Sequence, residues 1–160
     1  EISCSLVGSE MCIRDRCGMG GRLIADIVTK GMNVITRNTT LIVSPQSEVG
    51  DFRHFLVSQR LVVDDEKMLK EDGKYYFIIK CRKSDENVYS EYSETQYQYG
   101  WKLLENKDKT LYEYLIKEKE TNDGISNSLK KDESNPTVKL RLQQLSQKNN
   151  IIMDALSYYD

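Results

Sequence analysis

The stretch LVVDDEKMLKEDGKYYFIIKCRK narrows the folds open to this chain more than any other. It reads as two extended runs, Leu61 to Leu69 and Lys74 to Cys81, joined through Glu71, Asp72 and Gly73. Asp-Gly is a favoured centre for a two-residue hairpin, because both turn positions need positive φ. Tyr75, Phe77 and Ile79 alternate with Tyr76, Ile78 and Lys80, so the second run presents two distinct faces. An antiparallel pair is expected here, and every earlier element has to be compatible with it.

Upstream, RLIADIVTKG places Leu23, Ile24, Ile27 and Val28 at helical spacing and stops at Gly31. A glycine-rich turn, Gly18-Met19-Gly20-Gly21, leads directly into that helix. TTLIVSPQ, Thr39 to Gln46, is a short β-branched run bounded by Asn38 and Pro45, and it predicts a buried parallel strand. VGDFRHFLVSQR then groups Phe52, Phe55 and Leu56 on one helical face. The expected class is α/β, a parallel sheet that finishes in an antiparallel hairpin, as Rossmann-like domains of one group do.

A glycine turn normally follows a buried strand, yet Ser9, Glu10, Arg14, Asp15 and Arg16 before it are polar, and the pattern there predicts no strand. Leu6 to Asp15, LVGSEMCIRD, resembles the translation of a transposase adapter used for sequencing libraries. Residues 1–16 are therefore expected to be an artefactual leader and are set aside from functional reasoning. Residues 17–87 are expected to form a partial Rossmann-like domain and residues 88–160 a helical coiled-coil domain, with composition changing at Ser84.

In the last segment Val138, Leu142, Leu145, Asn149, Ile152 and Leu156 recur every four and three residues, the seam of a coiled coil. Asn135 is placed to cap that helix and Pro136 suits its first position. Trp101, Leu104, Leu111, Leu115, Ile125 and Leu129 give the preceding helix a looser stripe, interrupted by Asp108, Glu118 and Asn122. The two helices are expected to pack antiparallel.

With 23 basic and 25 acidic side chains the 160 residues carry a net charge of −2, so any nucleic-acid site has to be local. Lys102, Lys107, Lys109, Lys117 and Lys119 crowd the first half of the arm, where a local stripe could meet phosphates. No apolar run approaches a membrane span, and a cytoplasmic protein is expected. Cys4, Cys12, Cys17 and Cys81 match no metal-ligand spacing, and the one histidine, His54, reads as a surface residue, so no metal is expected.

CGMGGRLIADIV, LIVSPQ, FRHFL and KEDGKYYFII, in that order and spacing, resemble the bacterial tRNA (adenine(22)-N(1))-methyltransferase family. YGWKLLENKDKTLYEYL and VKLRLQQLSQKNNIIMDAL are similar to that family's helical arm, so the resemblance runs from Cys17 to Asp160. It implies the C-terminal portion of a Rossmann-like methyltransferase domain plus an α-helical antiparallel coiled-coil arm. It also implies methyl transfer from S-adenosyl-L-methionine to N1 of an adenine in the D arm of tRNA, by a protein expected to be a monomer at full length.

On that resemblance Gly18, Met19, Gly20 and Gly21, with Ser44, Pro45 and Gln46, are the candidate pocket residues, and Gly18, Met19 and Gly20 the candidate cofactor contacts. Arg22, Lys30, Arg37, Arg53, Lys102 and Lys109 are candidate RNA contacts. Two positions depart from the family pattern: Ser44-Pro45-Gln46 stands where a Gln-Pro-Asn-like triplet is usual, and Cys17 where Ala is common. The earlier cofactor loop and ribose-binding acid of such enzymes are absent from the sequence, so this stretch by itself is expected to bind the cofactor poorly and to be inactive. A coiled-coil protein-interaction module on an α/β platform, with Asn149 setting register, is the alternative. A nucleotide-dependent oxidoreductase is disfavoured because the turn lacks the third glycine of the dinucleotide fingerprint.

Overall fold

The computed structural model describes residues 5–7, 10–12, 19–84, 91–130 and 134–160. Five strands form one sheet in the order β1-β2-β3-β5-β4. They are β1 (Ser5–Val7), β2 (Glu10–Cys12), β3 (Thr40–Val43), β4 (Leu61–Glu71) and β5 (Lys74–Lys83). β2 and β3 are parallel, whereas β5 runs antiparallel to both β3 and β4. The hairpin forms as its turn residues dictate: Asp72 and Gly73 sit at φ 49° and 75°, and Glu71 faces Lys74.

Helices α1 (Gly21–Gly31) and α2 (Val49–Ser58) cover one face of the sheet. Ile24 and Val28 from α1 and Phe52 and Leu56 from α2 join Leu41, Val43, Val63 and Ile79 in one core. β3 is not covered on both faces, as its run of apolar residues predicts. Leu41 and Val43 point into the core, while Ile42 keeps 37 % of its surface exposed. A strand of four residues cannot present three apolar side chains to one side, since successive side chains alternate.

β1 and β2 come from residues expected to be a leader, where polar composition predicts no strand. Met11 faces Leu41 and Cys12 faces Ile42 across a backbone ladder. Strand addition at an open edge uses main-chain N–H and C=O groups that every non-proline residue carries, so pairing there needs little from the side chains. The expected boundary between residues 87 and 88 lies outside the described residues.

Beyond it come α3 (Glu94–Tyr99), α4 (Trp101–Glu105), α5 (Lys109–Leu129) and α6 (Pro136–Leu156). Ser93 caps α3 by accepting from the Gln96 amide while Gln96 reaches back to the Ser93 amide, a reciprocal capping box. The stripe read from Trp101 to Leu129 as one helix is interrupted at residues 106–108, and Asp108 begins α5 by accepting from the Leu111 amide. Trp101 therefore leaves the arm and enters the α/β core, stacked on Tyr92 at 3.8 Å.

α5 and α6 pack antiparallel: Asn122 meets Asn149, and Tyr159 returns to Asp108. Leu111, Leu115, Ile152 and Ala155 are buried together with Met68 and Phe77 of the hairpin. Leu145 is also buried, in keeping with its place in the predicted seam. Ile125, assigned to the same stripe, is 38 % exposed, because the face that turns inward is 111, 115, 118 and 122. Glu118 and Asn122 do not interrupt the seam; they are its polar members. Asn135 caps α6 through the Thr137 amide, with Pro136 first in the helix.

Candidate functional site

The carboxyl ends of the parallel strands β2 and β3 point the same way, and residues 19–21 meet the segment that leaves β3. The Gly21 amide donates to the Ser47 carbonyl at 2.8 Å, and the Gln46 amide donates to the Met19 carbonyl at 3.0 Å. Two motifs separated by about two dozen residues in sequence thus form one rim. Openings at the carboxyl ends of strands are where α/β sheets hold ligands.

Within that rim the residues divide. Gly18 lies outside the described residues. Met19 and Gly20 are half-buried at the edge of the opening. Gly21 is buried for a packing reason: a Cβ there would lie 2.7 Å from the Glu48 carbonyl oxygen and 2.9 Å from Phe52 Cβ. Its close approach serves the α1–α2 contact, and its amide is already bonded, so it is not available as a donor to a ligand. Pro45 is buried, and its ring restricts the backbone of Ser44 before it. Gln46 Nε2 lies 3.3 Å from both the carbonyl oxygen and the Oγ of Ser44, so the two side chains present one polar edge.

Glu48 closes the loop at φ 53°, a left-handed conformation seldom adopted by a residue with a Cβ. It starts α2 without a side-chain cap, and its carboxylate lies 3.6 Å from Arg22 Nη2. The sequence offered no signal for this strained residue.

The RNA candidates are dispersed. Arg22 stands beside the rim, 81 % of its side chain exposed. Lys30 is in the last turn of α1 and Arg37 precedes β3, so both sit at the far end of the sheet from the opening. Lys102 pairs with Glu105 at 3.2 Å, and Lys109 opens α5. Arg53 is a correction. Its guanidinium has no exposed surface and is held by Glu66 and by the carbonyls of Tyr97 and Gln98, so it cannot meet a phosphate. His54 is exposed and stacks on Tyr97 at 3.5 Å. Among the described residues no group of acidic, cysteine or histidine side chains could hold a metal, and no helix is long and apolar enough to cross a membrane.

Beside the rim opens a cleft of about 310 Å³ whose walls include Pro45, Gln46, Tyr75, Tyr114, Glu118 and Lys148. Its aromatic wall is not evident in the sequence, where Tyr75 and Phe77 mark one face of an alternating strand and Tyr114 lies far along the chain.

The family model for tRNA (adenine(22)-N(1))-methyltransferase matches residues 11–153. This chain belongs to that family. A curated member, the tRNA (adenine(22)-N(1))-methyltransferase of Bacillus subtilis, is 35% identical over 71 residues, which is 44% of this chain and 30% of that protein. The crystal structure of the B. subtilis M1A22 tRNA methyltransferase TrmK superposes with a TM-score of 0.73 at 24% identity, covering 92% of this chain and 62% of that one. A Streptococcus pneumoniae protein described as a tRNA (m1A22) methyltransferase, solved in complex with S-adenosyl-L-methionine, gives 0.72 at 25% identity, with 92% and 60% covered. The chain thus spans less than two thirds of the length of these methyltransferases, and it shares their Rossmann-like fold over that span.

Proposed function

We propose that the protein carrying these residues transfers a methyl group from S-adenosyl-L-methionine to N1 of adenine 22 in the D arm of tRNA. The observation that carries this reading is the junction of Met19–Gly21 with Ser44–Ser47 at the carboxyl ends of β2 and β3, in a chain of this family. The rim fits one side of a cofactor: Gly20 approaches Ser47 so closely that a Cβ would lie 2.8 Å from its Oγ, and Met19 lies open beside it. When bound, S-adenosyl-L-methionine supplies an electrophilic methyl.

The chain's own task is then modest in chemistry and strict in position. Adenine N1 carries its lone pair already, so no base has to prepare it, and no metal is needed to activate it. The base has to be unstacked and N1 held in line with the methyl. Ser44 and Gln46 supply the polar edge that reads the base, and Pro45 fixes the backbone between them. The excess positive charge leaves afterwards as a proton from the exocyclic amine. Arg22 takes a tRNA phosphate beside the rim, with Lys102, Lys109, Lys30 and Arg37 reaching outlying ones. The protein works as a monomer in the cytoplasm.

The test uses the product of the complete open reading frame that contains these 160 residues. It is incubated with S-adenosyl-L-methionine and an unmodified tRNA transcript, and nuclease digests are read by mass spectrometry. N1-methyladenine at position 22, absent from a transcript with guanine there, is the expected result. No methylation, or methylation that persists without adenine 22, would overturn the reading.

A further inference from the structure

We propose that the cleft beside the rim is a second RNA subsite, which receives one unstacked nucleotide flanking the methylated adenine and seats its base against Tyr75. The inference rests on the tRNA reading above. The register of the hairpin creates the site: Val43, the last residue of β3, faces Ile79, so Tyr75 and Phe77 overhang the loop that begins at Ser44. Tyr114 from α5 meets the Tyr75 ring at 5.1 Å and 64° and the Phe77 ring at 6.0 Å and 83°. The cleft shares Pro45 and Gln46 with the rim, so an adjacent nucleotide of the same strand is the group that could reach both. Its volume, about 310 Å³, is at the small end of ligand sites, which run from about 300 to 1,000 Å³, and suits a single nucleoside.

The charges around it are arranged for a base inside and phosphates outside. Lys70 Nζ lies 5.3 Å and Lys117 Nζ 5.5 Å from the centre of the Tyr75 ring, and Lys148 lines the cleft from α6. Two cations, from β4 and α5, therefore flank one aromatic ring, and a third, from α6, lines the cleft. Lysines that follow a backbone beside a ring on which a base stacks are the elements of a single-strand site. Lys70 pairs with Glu113 at 3.1 Å and Lys148 with Glu118 at 2.7 Å. The Lys70–Glu113 pair is part-exposed on both sides, and a pair of that kind contributes at most about 1 kcal/mol, so little holds Lys70 back from a phosphate. The cleft wall itself bears Glu48, Asp51 and Glu118, which repel phosphate and accept from the amino and imino groups of a base.

The experiment is equilibrium binding of the product of the complete open reading frame to an unmodified tRNA transcript, followed by fluorescence anisotropy across a salt series. Tyr75→Ala should weaken binding roughly 5- to 150-fold, as loss of one stacked base does, while Tyr75→Phe, which keeps the ring, stays within about twofold. Lys117→Ala, at an exposed helical position, should lower the slope of log affinity against log salt by about one. Binding by Tyr75→Ala equal to that of the parent chain would overturn the subsite and leave the tRNA reading standing. Equal weakening of Tyr75→Ala and Tyr75→Phe would overturn it too, since a stacking ring would then not matter. A parent chain that binds no tRNA overturns both.

Discussion

Arg53 Nε donates to Glu66 Oε1 at 2.7 Å, and neither side chain exposes any surface. Arg53 Nη1 also donates to the carbonyls of Tyr97 and Gln98, and Glu66 Oε2 accepts from the Lys102 amide at 3.1 Å. One residue of α2 and one of β4 thereby hold the end of α3 and the start of α4. Burial lowers the Arg53 pKa, and the charge and hydrogen bond of Glu66 oppose that shift. Removing one member leaves the other buried and unpaired, which costs about 3–5 kcal/mol. Arg53→Met and Glu66→Leu should each lose that much in urea denaturation, whereas the variant carrying both should lose much less than the sum. Additive losses would show that the two charges are not coupled.

Gly100 sits at φ 94°, and a Cβ there would lie 2.6 Å from Glu66 Oε2 and 2.7 Å from Arg53 Nη2. Gly124, within α5, has nothing within 4 Å of its would-be Cβ. The same substitution should therefore have opposite signs. Gly100→Ala should destabilise by at least the ~1–3 kcal/mol of a strained backbone. Gly124→Ala should stabilise by about 0.5–1 kcal/mol through helix propensity. Thermal melting of both variants checks this, and a stable Gly100→Ala would contradict the packing around the ion pair.

Asn122 Nδ2 donates to Asn149 Oδ1 at 3.2 Å, and Asn149 Nδ2 donates to Asp123 Oδ1 at 2.8 Å. Asn122 is buried, so Asn149→Leu strands a polar group and should cost about 1–3 kcal/mol. Replacing both asparagines by leucine removes the stranded group and should recover most of the loss. Losses that simply add in the double variant would mean that the asparagines act separately.

Alkaline pH should weaken the fold. Burial, with a smaller contribution from the Asp64 charge, pushes the Cys81 thiol up to about 12 from an ordinary 9.0. Burial and then the charge of Glu118 raise the Tyr99 and Tyr114 phenols as well. Above pH 9 the unfolded chain gives up protons that the folded chain keeps. The unfolded state then binds fewer protons, so stability falls as pH rises from about 9 toward 12. Urea midpoints between pH 7 and 11 should decline over the upper half of that range. Cys81 should also resist thiol reagents until the chain unfolds. A flat midpoint would sink this account.

Local signals with a unique physical meaning were legible in the sequence. Asp72-Gly73 specifies its turn, Asn135-Pro136 its helix start, and the spacing from Val138 to Leu156 its inward face. What the sequence hid depends on partners far along the chain. Arg53 looks like a surface cation until Glu66, thirteen residues away on a strand, is brought beneath it. Trp101 has the spacing of an arm residue, yet the break at 106–108 frees it to stack on Tyr92. At the candidate site the Met19 and Gln46 segments were named from sequence, but their bonding to each other, and the aromatic wall that the hairpin register adds, exist only in three dimensions.

The grip of Arg53 on the Tyr97 and Gln98 carbonyls ties the end of α3 to α2. α2, which carries Arg53, is also the helix that leaves the Ser44–Ser47 loop. A change at the buried ion pair therefore reaches two places at once, the first residues of the helical tail and the helix that frames the Ser44–Ser47 loop.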